Sequence, residues 1–297
     1  MVCYHPIRCY RVKSGRTANG KWPITFNLSN GYSDMPVDIP CGQCIGCRLE
    51  RSRQWAVRCM HEATLYTDNC FLTLTYNNDN LPANGSLVKR DLTLFFKRLR
   101  KRYGAGVRYY ACGEYGEQYC RPHFHVCLFN LDFSDKKFLM CNHGYNLFRS
   151  PSLEELWPYG FSTIGAVTFE SAAYVARYIM KKQLGKGASD YYSNLGLVPE
   201  YTVMSRRPGI ATGWFEKYRN EVFPRDEIVV RKVLCKPPRF YDNMFDLTNH
   251  DDMLKIKARR KALAISRSAD NDPFRRGVKE TCKLAKIGKL LRPLEYL

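Results

Sequence analysis

Two histidines separated by one residue, His123 and His125, carry the clearest chemical signal in this sequence. They lie in the apolar segment PHFHVCLF (122–129), which predicts a β-strand. Alternate residues of a strand point to the same face of a sheet, so both imidazoles could bind one metal ion. The sequence therefore predicts a metal site on one face of this strand.

The third ligand of that site is expected from a neighbouring strand, predicted over residues 107–115. A short link joins the two strands, which favours an antiparallel hairpin. The hairpin would bring the carboxylate of Glu114 towards the imidazoles, and Glu117 in the turn is the alternative ligand. This set of ligands suits Mg²⁺ or Mn²⁺, because the carboxylate favours both ions and the imidazoles favour Mn²⁺.

Two tyrosines, Tyr174 and Tyr178, are four residues apart on a helix predicted from about 172 to 183, so their phenols share one face. Aromatic pairs at this spacing are also typical of a helix that simply packs on a sheet. Lys181 and Lys182 follow one turn later, and one of them could stabilise a phenolate, whose ordinary pKa is near 10. Together with a metal ion, these groups form a set for attack on a phosphodiester.

An antiparallel sheet with helices packed on it must position these residues. The predicted order is strand 70–76, helix 88–103, the two strands of the hairpin, an insertion over 131–160 with one short helix, strand 161–169 and the tyrosine helix. A helix from about 48 to 66 precedes them. This succession favours an α+β domain. Residues 205–240 contain four prolines and are predicted to be irregular, and a helix is expected around 249–266.

The segments CFLTLTY, RPHFHVCLF and AAYVARYIMKK resemble the three ordered motifs of the HUH endonuclease superfamily. The stretch from Pro40 to Lys182 more closely resembles the replication initiation proteins of the Microviridae, of the gokushovirus type, and a weaker likeness extends over 205–218. The resemblance implies a central antiparallel sheet with flanking helices. It also implies three regions: an irregular cysteine-containing segment over 1–50, an HUH endonuclease domain over 51–200, and a basic, partly helical extension over 201–297.

The same resemblance implies a role for each motif residue. His123, His125 and Glu114 would bind the catalytic cation, Tyr174 and Tyr178 would be the paired nucleophiles of the two-tyrosine class, and Lys181 or Lys182 would be the motif lysine. The implied reaction is attack of a tyrosine on the viral plus-strand origin, which leaves the enzyme joined to the 5′ phosphate and frees a 3′ hydroxyl for synthesis. The second tyrosine would cut again after one round, and the circle would be closed.

Three cysteines, Cys41, Cys44 and Cys47, have a spacing typical of loops that bind zinc, which takes four ligands. Cys3 or His5 could supply the fourth. A reduced, packed cysteine-rich turn is the alternative interpretation. A disulfide framework is disfavoured because the cysteine count of 13 is odd and the N-terminus does not resemble a secretion signal.

The formal net charge of +19 in 297 residues points to a polyanionic partner. Lys97, Arg98 and Lys101 on the predicted helix 88–103, and the basic residues after 255, are candidates for phosphate contacts. We expect single-stranded or origin DNA as the substrate and no membrane partner, because no run of 18 apolar residues occurs. The chain has no G-x-x-x-x-G-K-[ST] motif, so we expect a host helicase and a host DNA polymerase to act with it in the bacterial cytoplasm.

Three alternatives remain open at the level of sequence. A nickase of a plasmid or transposon would share the chemistry but act on another element. A non-catalytic basic nucleic-acid-binding protein would not need His123. A zinc-dependent phosphodiesterase that uses metal-bound water would form no covalent link to DNA and would not need Tyr174.

Overall fold

The computed structural model describes residues 3–17, 20, 22–116, 119–142, 144–177 and 187–289. Within these residues the chain forms two compact units. The first unit comprises the described residues of 1–50 and 260–290, and the second comprises residues 51–259 with the gaps given above. None of the helices in the described ranges is long and apolar enough to cross a bilayer.

The first unit contains a small antiparallel sheet in the order β2-β1-β3, formed by β1 (Ile7–Val12), β2 (Ile24–Thr25) and β3 (Gly31–Ile39). The sequence predicts an irregular segment here, and the difference has a physical reason. The residues of β3, GYSDMPVDI, are mostly exposed and include a proline, so the apolar alternation that identifies a half-buried strand is missing. Backbone pairing with β1 defines this strand.

The second unit is built on a seven-stranded antiparallel sheet, which confirms the α+β class and the central antiparallel sheet. Its strand order is β10-β5-β6-β4-β9-β8-β7. The strands are β4 (Asn69–Tyr76), β5 (Arg108–Tyr115), β6 (Pro122–Phe129), β7 (Lys137–Asn142), β8 (Tyr145–Arg149), β9 (Gly160–Gly165) and β10 (Tyr201–Met204). A separate hairpin follows, made of β11 (Ile228–Val230) and β12 (Val233–Cys235).

The helices of the described ranges follow in chain order. They are α1 (Ile45–Ala63), α2 (Lys89–Tyr103), α3 (Pro151–Leu156), α4 (Phe169–Arg177), α5 (Ala188–Leu195), α6 (Thr212–Val222), α7 (Arg239–Thr248), α8 (His250–Ser266) and α9 (Pro273–Gly288).

Strand alternation divides the large sheet into two buried faces. On one face, Phe71, Tyr110 and Cys127 pack with residues of α1, α4, α6 and α7. On the other face, Leu72 and Phe124 pack with residues of α2 and α3. The helices therefore cover both sides of the sheet, and the predicted metal ligands, which alternate with Phe124, lie on the face covered by α4.

Two segments are more regular than the sequence predicts. The insertion over 131–160 contains the expected short helix, α3, and also β7 and β8, which extend the sheet beyond β9. The prolines of 205–240 predict an irregular segment, and that prediction is wrong for α6 and the β11–β12 hairpin. The reason is position: Pro208 and Pro224 flank α6 without entering it, so they delimit a helix rather than break one.

Candidate active site

Three potential metal ligands meet on one face of the large sheet. β5 and β6 pair in a register that puts Glu114 opposite His123 and Cys112 opposite His125. Nε2 of His123 lies 3.2 Å from Oε1 of Glu114, and Nε2 of His125 lies 3.0 Å from the same oxygen. The three ligand atoms lie within 4.8 Å of one another, a spacing compatible with one cation whose bonds to its ligands are about 2.0–2.6 Å long.

The second nitrogen of each imidazole is anchored away from this centre. Nδ1 of His123 lies 2.9 Å from the backbone carbonyl oxygen of Arg121, which can only accept, so Nδ1 is the donor. Nδ1 of His125 lies 3.1 Å from Oγ1 of Thr73 on β4. Metal-binding histidines typically use their other nitrogen in this way, which fixes the ring and directs Nε2 at the cation. The donor set therefore fits a divalent cation.

Glu114 is an almost completely buried carboxylate, with 1% of its surface exposed. Burial by itself raises the pKa of the Glu114 carboxyl, but the hydrogen bonds and charges of His123 and His125 outweigh burial and hold its pKa well below its usual range. The carboxylate is therefore ionised at neutral pH. A negative oxygen facing two imidazole nitrogens is the arrangement that a divalent cation stabilises.

Tyr174, the first of the two predicted nucleophiles, is in direct contact with this centre. Its helix, α4, packs on β5 and β6. The phenol hydroxyl donates a hydrogen bond to Oε1 of Glu114 at 2.7 Å, and the phenol ring meets the ring of His125 edge-on at 5.0 Å between centroids. The phenol is 7% exposed. The structure thus brings together His123, His125, Glu114 and Tyr174 from three separate elements.

The remaining residues of the predicted catalytic set are Tyr178, Lys181, Lys182 and the alternative ligand Glu117, and all four lie outside the described residues.

The structure also places near the site two residues that the sequence did not single out. Thr73 contacts His125, as described above. Glu200 precedes β10, and because Tyr201 pairs with Gly113, continuation of this register puts Glu200 opposite Glu114. Burial and the nearby charge of Glu114 raise the pKa of the Glu200 carboxyl, which accepts a hydrogen bond from the Tyr192 hydroxyl. Neither residue belongs to a recognisable motif, and β10 is too short to be predicted.

The basic residues Lys97, Arg98 and Lys101 lie on α2, which packs on the face of the sheet opposite to the metal ligands. Nε of Arg98 donates to the carbonyl oxygen of Leu156 at 2.9 Å, so this guanidinium has a structural contact. Lys97 and Lys101 are exposed.

Four cysteines of the first unit, Cys3, Cys41, Cys44 and Cys47, form a second group with metal-ligand spacing, their sulfur atoms lying within 4.8 Å of one another. The sulfur atoms of Cys3 and Cys44 are 3.9 Å apart. Tetrahedral zinc with Zn–S bonds of about 2.3 Å separates its sulfur ligands by about 3.8 Å. His5, the alternative fourth ligand, instead contacts Glu280, with Nε2 2.6 Å from a carboxylate oxygen.

Backbone N–H groups point at the sulfur atoms of this cluster. Those of Cys41 and Cys44 donate to the sulfur atoms of Cys3 and Cys41, both at 3.2 Å, and that of Tyr4 donates to the sulfur of Cys44 at 3.4 Å. Burial raises the pKa of the Cys44 thiol, but hydrogen bonds led by those from Tyr4 and Cys47 outweigh burial and lower the pKa to about 6. Because N–H donors stabilise thiolates, the cluster is electrostatically suited to a cation that binds sulfur.

Comparison with known proteins points in one direction. A family model for the phage replication-associated protein ORF2 matches residues 69–183, the segment that contains the three metal ligands and Tyr174. The chain is 32% identical to the replication-associated protein ORF2 of Spiroplasma virus 4 over 285 residues, which cover 89% of this chain and 87% of that protein.

It is also 34% identical to the replication-associated protein VP4 of Bdellovibrio phage phiMH2K over 290 residues, covering 92% of this chain and 88% of the relative. A similarity of 34% to the replication-associated protein ORF4 of Chlamydia phage 1 covers 53% of this chain and 42% of that protein. No solved structure matches the chain significantly.

Proposed function

The chain belongs to the family of replication-associated proteins of Microviridae-type phages, and we propose that it initiates rolling-circle replication as a metal-assisted DNA nickase and strand transferase. In this proposal the protein cuts the viral plus strand at its origin through a tyrosine, stays attached to the 5′ phosphate, and later rejoins the strand. The names of the relatives favour a phage genome over a plasmid or transposon as the element that is replicated.

The contact between Tyr174 and Glu114 carries the proposal. A phenol oxygen 2.7 Å from an oxygen of a predicted metal ligand lies close enough to attack a phosphate group held at the same centre. Simple packing of a helix on a sheet would bury the ring but would not require its hydroxyl to point at the three ligand atoms. The observed direction therefore favours a nucleophile over a packing residue.

The residues that would hold the cation are His123, His125 and Glu114, with Mg²⁺ or Mn²⁺ as the ions that we propose. When bound, a divalent cation would polarise the scissile phosphodiester and balance the charge that develops on its oxygens. The anchoring contacts from the Arg121 carbonyl and Thr73 hold both rings in place before the substrate arrives.

The proposed step makes one bond and breaks one. The phenol oxygen of Tyr174 forms a bond to phosphorus while the bond from phosphorus to the 3′ oxygen breaks, which leaves a 5′-phosphotyrosine and a free 3′ hydroxyl. The phenol proton is held by Oε1 of Glu114 in the resting arrangement and ends on the departing 3′ oxygen. The 3′ hydroxyl would then prime DNA synthesis.

Tyr178, four residues after Tyr174 in the sequence, is the proposed second nucleophile. It would cut the regenerated origin after one round, and the new 3′ hydroxyl would attack the first phosphotyrosine to close the circle. Lys181 or Lys182 is proposed to stabilise the phenolate that forms or leaves, because a neighbouring cation lowers the pKa of a phenol.

We also propose that Cys3, Cys41, Cys44 and Cys47 hold a structural zinc ion. Four sulfur ligands leave no open coordination position, so this site would be structural rather than catalytic. The N–H donors to the sulfur atoms support the proposal, since they would stabilise the thiolates that zinc requires.

The proposed substrate is single-stranded plus-strand DNA at the origin, and the proposed place of action is the cytoplasm of the bacterial host. Unwinding and synthesis are assigned to a host helicase and a host polymerase, because the sequence has no phosphate-binding loop of the ATPase type.

The test is a cleavage assay on a labelled single-stranded oligonucleotide that carries the phage origin, with Mn²⁺, with Mg²⁺ or with a chelator. We expect cleavage and a covalent protein–DNA band with either metal and neither in the chelator. The double variant Tyr174→Phe with Tyr178→Phe should lose the band, whereas Tyr119→Phe should retain it, because Tyr119 is 85% exposed and serves as an accessible phenol outside the site.

Cleavage without a covalent band would indicate a phosphodiesterase that uses water. Binding without cleavage under every condition would indicate a non-catalytic DNA-binding protein.

A further inference from the structure

A single phenylalanine, Phe161, projects into solvent from the sheet face that carries the metal ligands. It lies on β9 and is 68% exposed. The register puts Phe161 opposite Thr75 of β4, and Thr75 opposite His123 of β6. Residues opposite each other across antiparallel strands point to the same face, so Phe161, Thr75, His123 and Glu114 form one row across four strands.

The row fixes the distance between the phenylalanine and the proposed reaction centre. Neighbouring strands are about 4.8 Å apart, so the backbone of Phe161 lies about 10 Å from that of His123. α4 packs on β5 and β6. Thr75 and Thr163 of the neighbouring strands are only half-buried, so the sheet face between the metal ligands and Phe161 is accessible.

A cavity of about 460 Å³ lies at Phe161, bordered by Asn77, Asn78 and Arg121. This volume is in the range of pockets that take small molecules, about 300–1,000 Å³. The guanidinium of Arg121 is fixed by two neutral acceptors, the carbonyl oxygen of Tyr76 at 2.8 Å and Oδ1 of Asn78 at 2.6 Å. Its charge is therefore held in place beside the aromatic ring, and the opposing charge is that of Asp79 on the exposed rim.

Arg121 links this cavity to the metal ligands. Its side chain borders the cavity, and its backbone carbonyl orients the imidazole of His123. An exposed aromatic ring, a fixed guanidinium and amide side chains next to one another are the groups that bind unpaired nucleotides: the ring stacks on a base and the cation contacts a phosphate.

We propose that Phe161 and Arg121 form a subsite for one unpaired nucleotide that flanks the scissile phosphate. The base stacks on the ring of Phe161, the neighbouring backbone phosphate contacts Arg121, and the strand runs across β9 and β4 to the metal ligands. This inference rests on the proposed function, because it assumes that single-stranded DNA is the substrate. Stacking tolerates any base, so the subsite positions the strand without selecting its sequence.

The first experiment measures binding of a fluorescent single-stranded origin oligonucleotide to the full-length protein in a chelator, where the metal site does not contribute. We expect Phe161→Ala to weaken binding about tenfold and Phe161→Trp to preserve it, because loss of one stacked base costs about this factor. Phe138→Ala is the matched control: Phe138 is 62% exposed on β7 of the same sheet, and its pairing with Phe148, which pairs with Ile164, places it on the opposite face.

The second experiment identifies the nucleotide. Oligonucleotides in which one base at a time is removed, with the backbone intact, should show one position at which the loss weakens binding to the natural protein but not to Phe161→Ala. Equal affinity of Phe161→Ala and the natural protein for the intact oligonucleotide would overturn the proposal. So would equal costs of every abasic position in both proteins.

Failure of the proposed function is distinguishable from failure of this subsite. If no covalent product forms with any metal but the Phe161-dependent abasic effect is present, the subsite stands and the nickase chemistry fails. If the natural protein forms the covalent product and Phe161→Ala binds and reacts equally well, the chemistry stands and the subsite fails. Mn²⁺ binding, measured by electron paramagnetic resonance, should be the same in the natural protein and Phe161→Ala.

Discussion

The phenol oxygen of Tyr174 lies 2.7 Å from Oε1 of Glu114, although the two residues are 60 positions apart in the chain. One is on a helix and the other on a strand, and two histidines of the next strand meet the same carboxylate oxygen. A buried carboxylate shared by two imidazoles and one phenol connects cation binding to the proposed nucleophile. The predictions below test the groups that hold this arrangement and the groups that hold the rest of the fold.

Thr73 contacts Nδ1 of His125, so its hydroxyl should set the orientation of this ligand. Thr73→Val keeps the shape and removes the hydroxyl. We expect Mn²⁺ affinity, measured by electron paramagnetic resonance, to fall about 10–100-fold, as is usual when the partner of a metal-binding histidine is lost. Thr163→Val on β9 is the control, because Thr163 lies opposite Thr73 but has no hydrogen bond to His125 among those of the described residues. Equal affinities in the two variants would remove Thr73 from the site.

Glu114→Gln should separate charge from shape at the metal site. The amide oxygen can still accept the hydrogen bond from Tyr174, but it carries no charge to bind a cation. We expect Mn²⁺ binding and the covalent DNA product to be lost while circular dichroism shows a folded protein. Glu170→Gln is the control, because Glu170 forms an exposed ion pair with Arg231 at 2.7 Å, and such pairs contribute about 0–1 kcal/mol. Full activity of Glu114→Gln would contradict the assignment.

His61 should make the stability of the fold depend on pH. Its ring stacks on Trp214 with 3.5 Å between centroids, and burial lowers its pKa from 6.5 to about 4. Between these two values the unfolded chain binds more protons than the folded one, so stability is complete above pH 6.5 and falls as the pH drops towards 4. Urea unfolding at pH 5 should give a free energy about 2 kcal/mol below that at pH 7 from this residue.

The pH effect has its own control. His61→Asn should have a smaller difference between pH 7 and pH 5, whereas His250→Asn should keep it, because His250 is exposed and pairs with Asp246 at 2.8 Å. An unchanged pH difference in His61→Asn would show that another group is responsible.

Zinc content tests the cysteine cluster. We expect about one equivalent of zinc in the purified protein by elemental mass spectrometry and almost none in Cys44→Ser, because a four-sulfur site loses most of its affinity with one ligand. Cys282→Ser should keep the zinc, since Cys282 is exposed and is not part of the cluster. Less than about 0.3 equivalents in the natural protein would favour a reduced cysteine-rich turn without metal.

The hairpin that carries the ligands could be predicted from the sequence for a simple physical reason. His123 and His125 alternate with apolar residues in a strand, and a short link joins that strand to the one with Glu114, so both the face and the partner follow from local rules. The contact of Tyr174 with this centre required the resemblance to a family, because helix spacing gives a shared face but not the sheet position that the face covers.

Residues brought in by long-range pairing could not be predicted. Glu200 reaches Glu114 only because β10, four residues long, pairs with the edge of β5. The sequence predicts Phe161 within a strand, but its exposure depends on which helices cover the sheet. The small sheet of the first unit was missed because its strands have little apolar alternation.

The most direct test of the account is mass spectrometry of the covalent protein–DNA product after digestion with trypsin. Cleavage after Arg149, Arg177 and Lys181 puts Tyr174 in the peptide 150–177 and Tyr178 in the peptide 178–181, so the modified peptide identifies the nucleophile. We predict that one or both of these peptides carry the 5′-phosphorylated oligonucleotide, and only when Mg²⁺ or Mn²⁺ is present. An oligonucleotide attached to any other peptide, or a product that forms equally well in a chelator, would contradict the central claim.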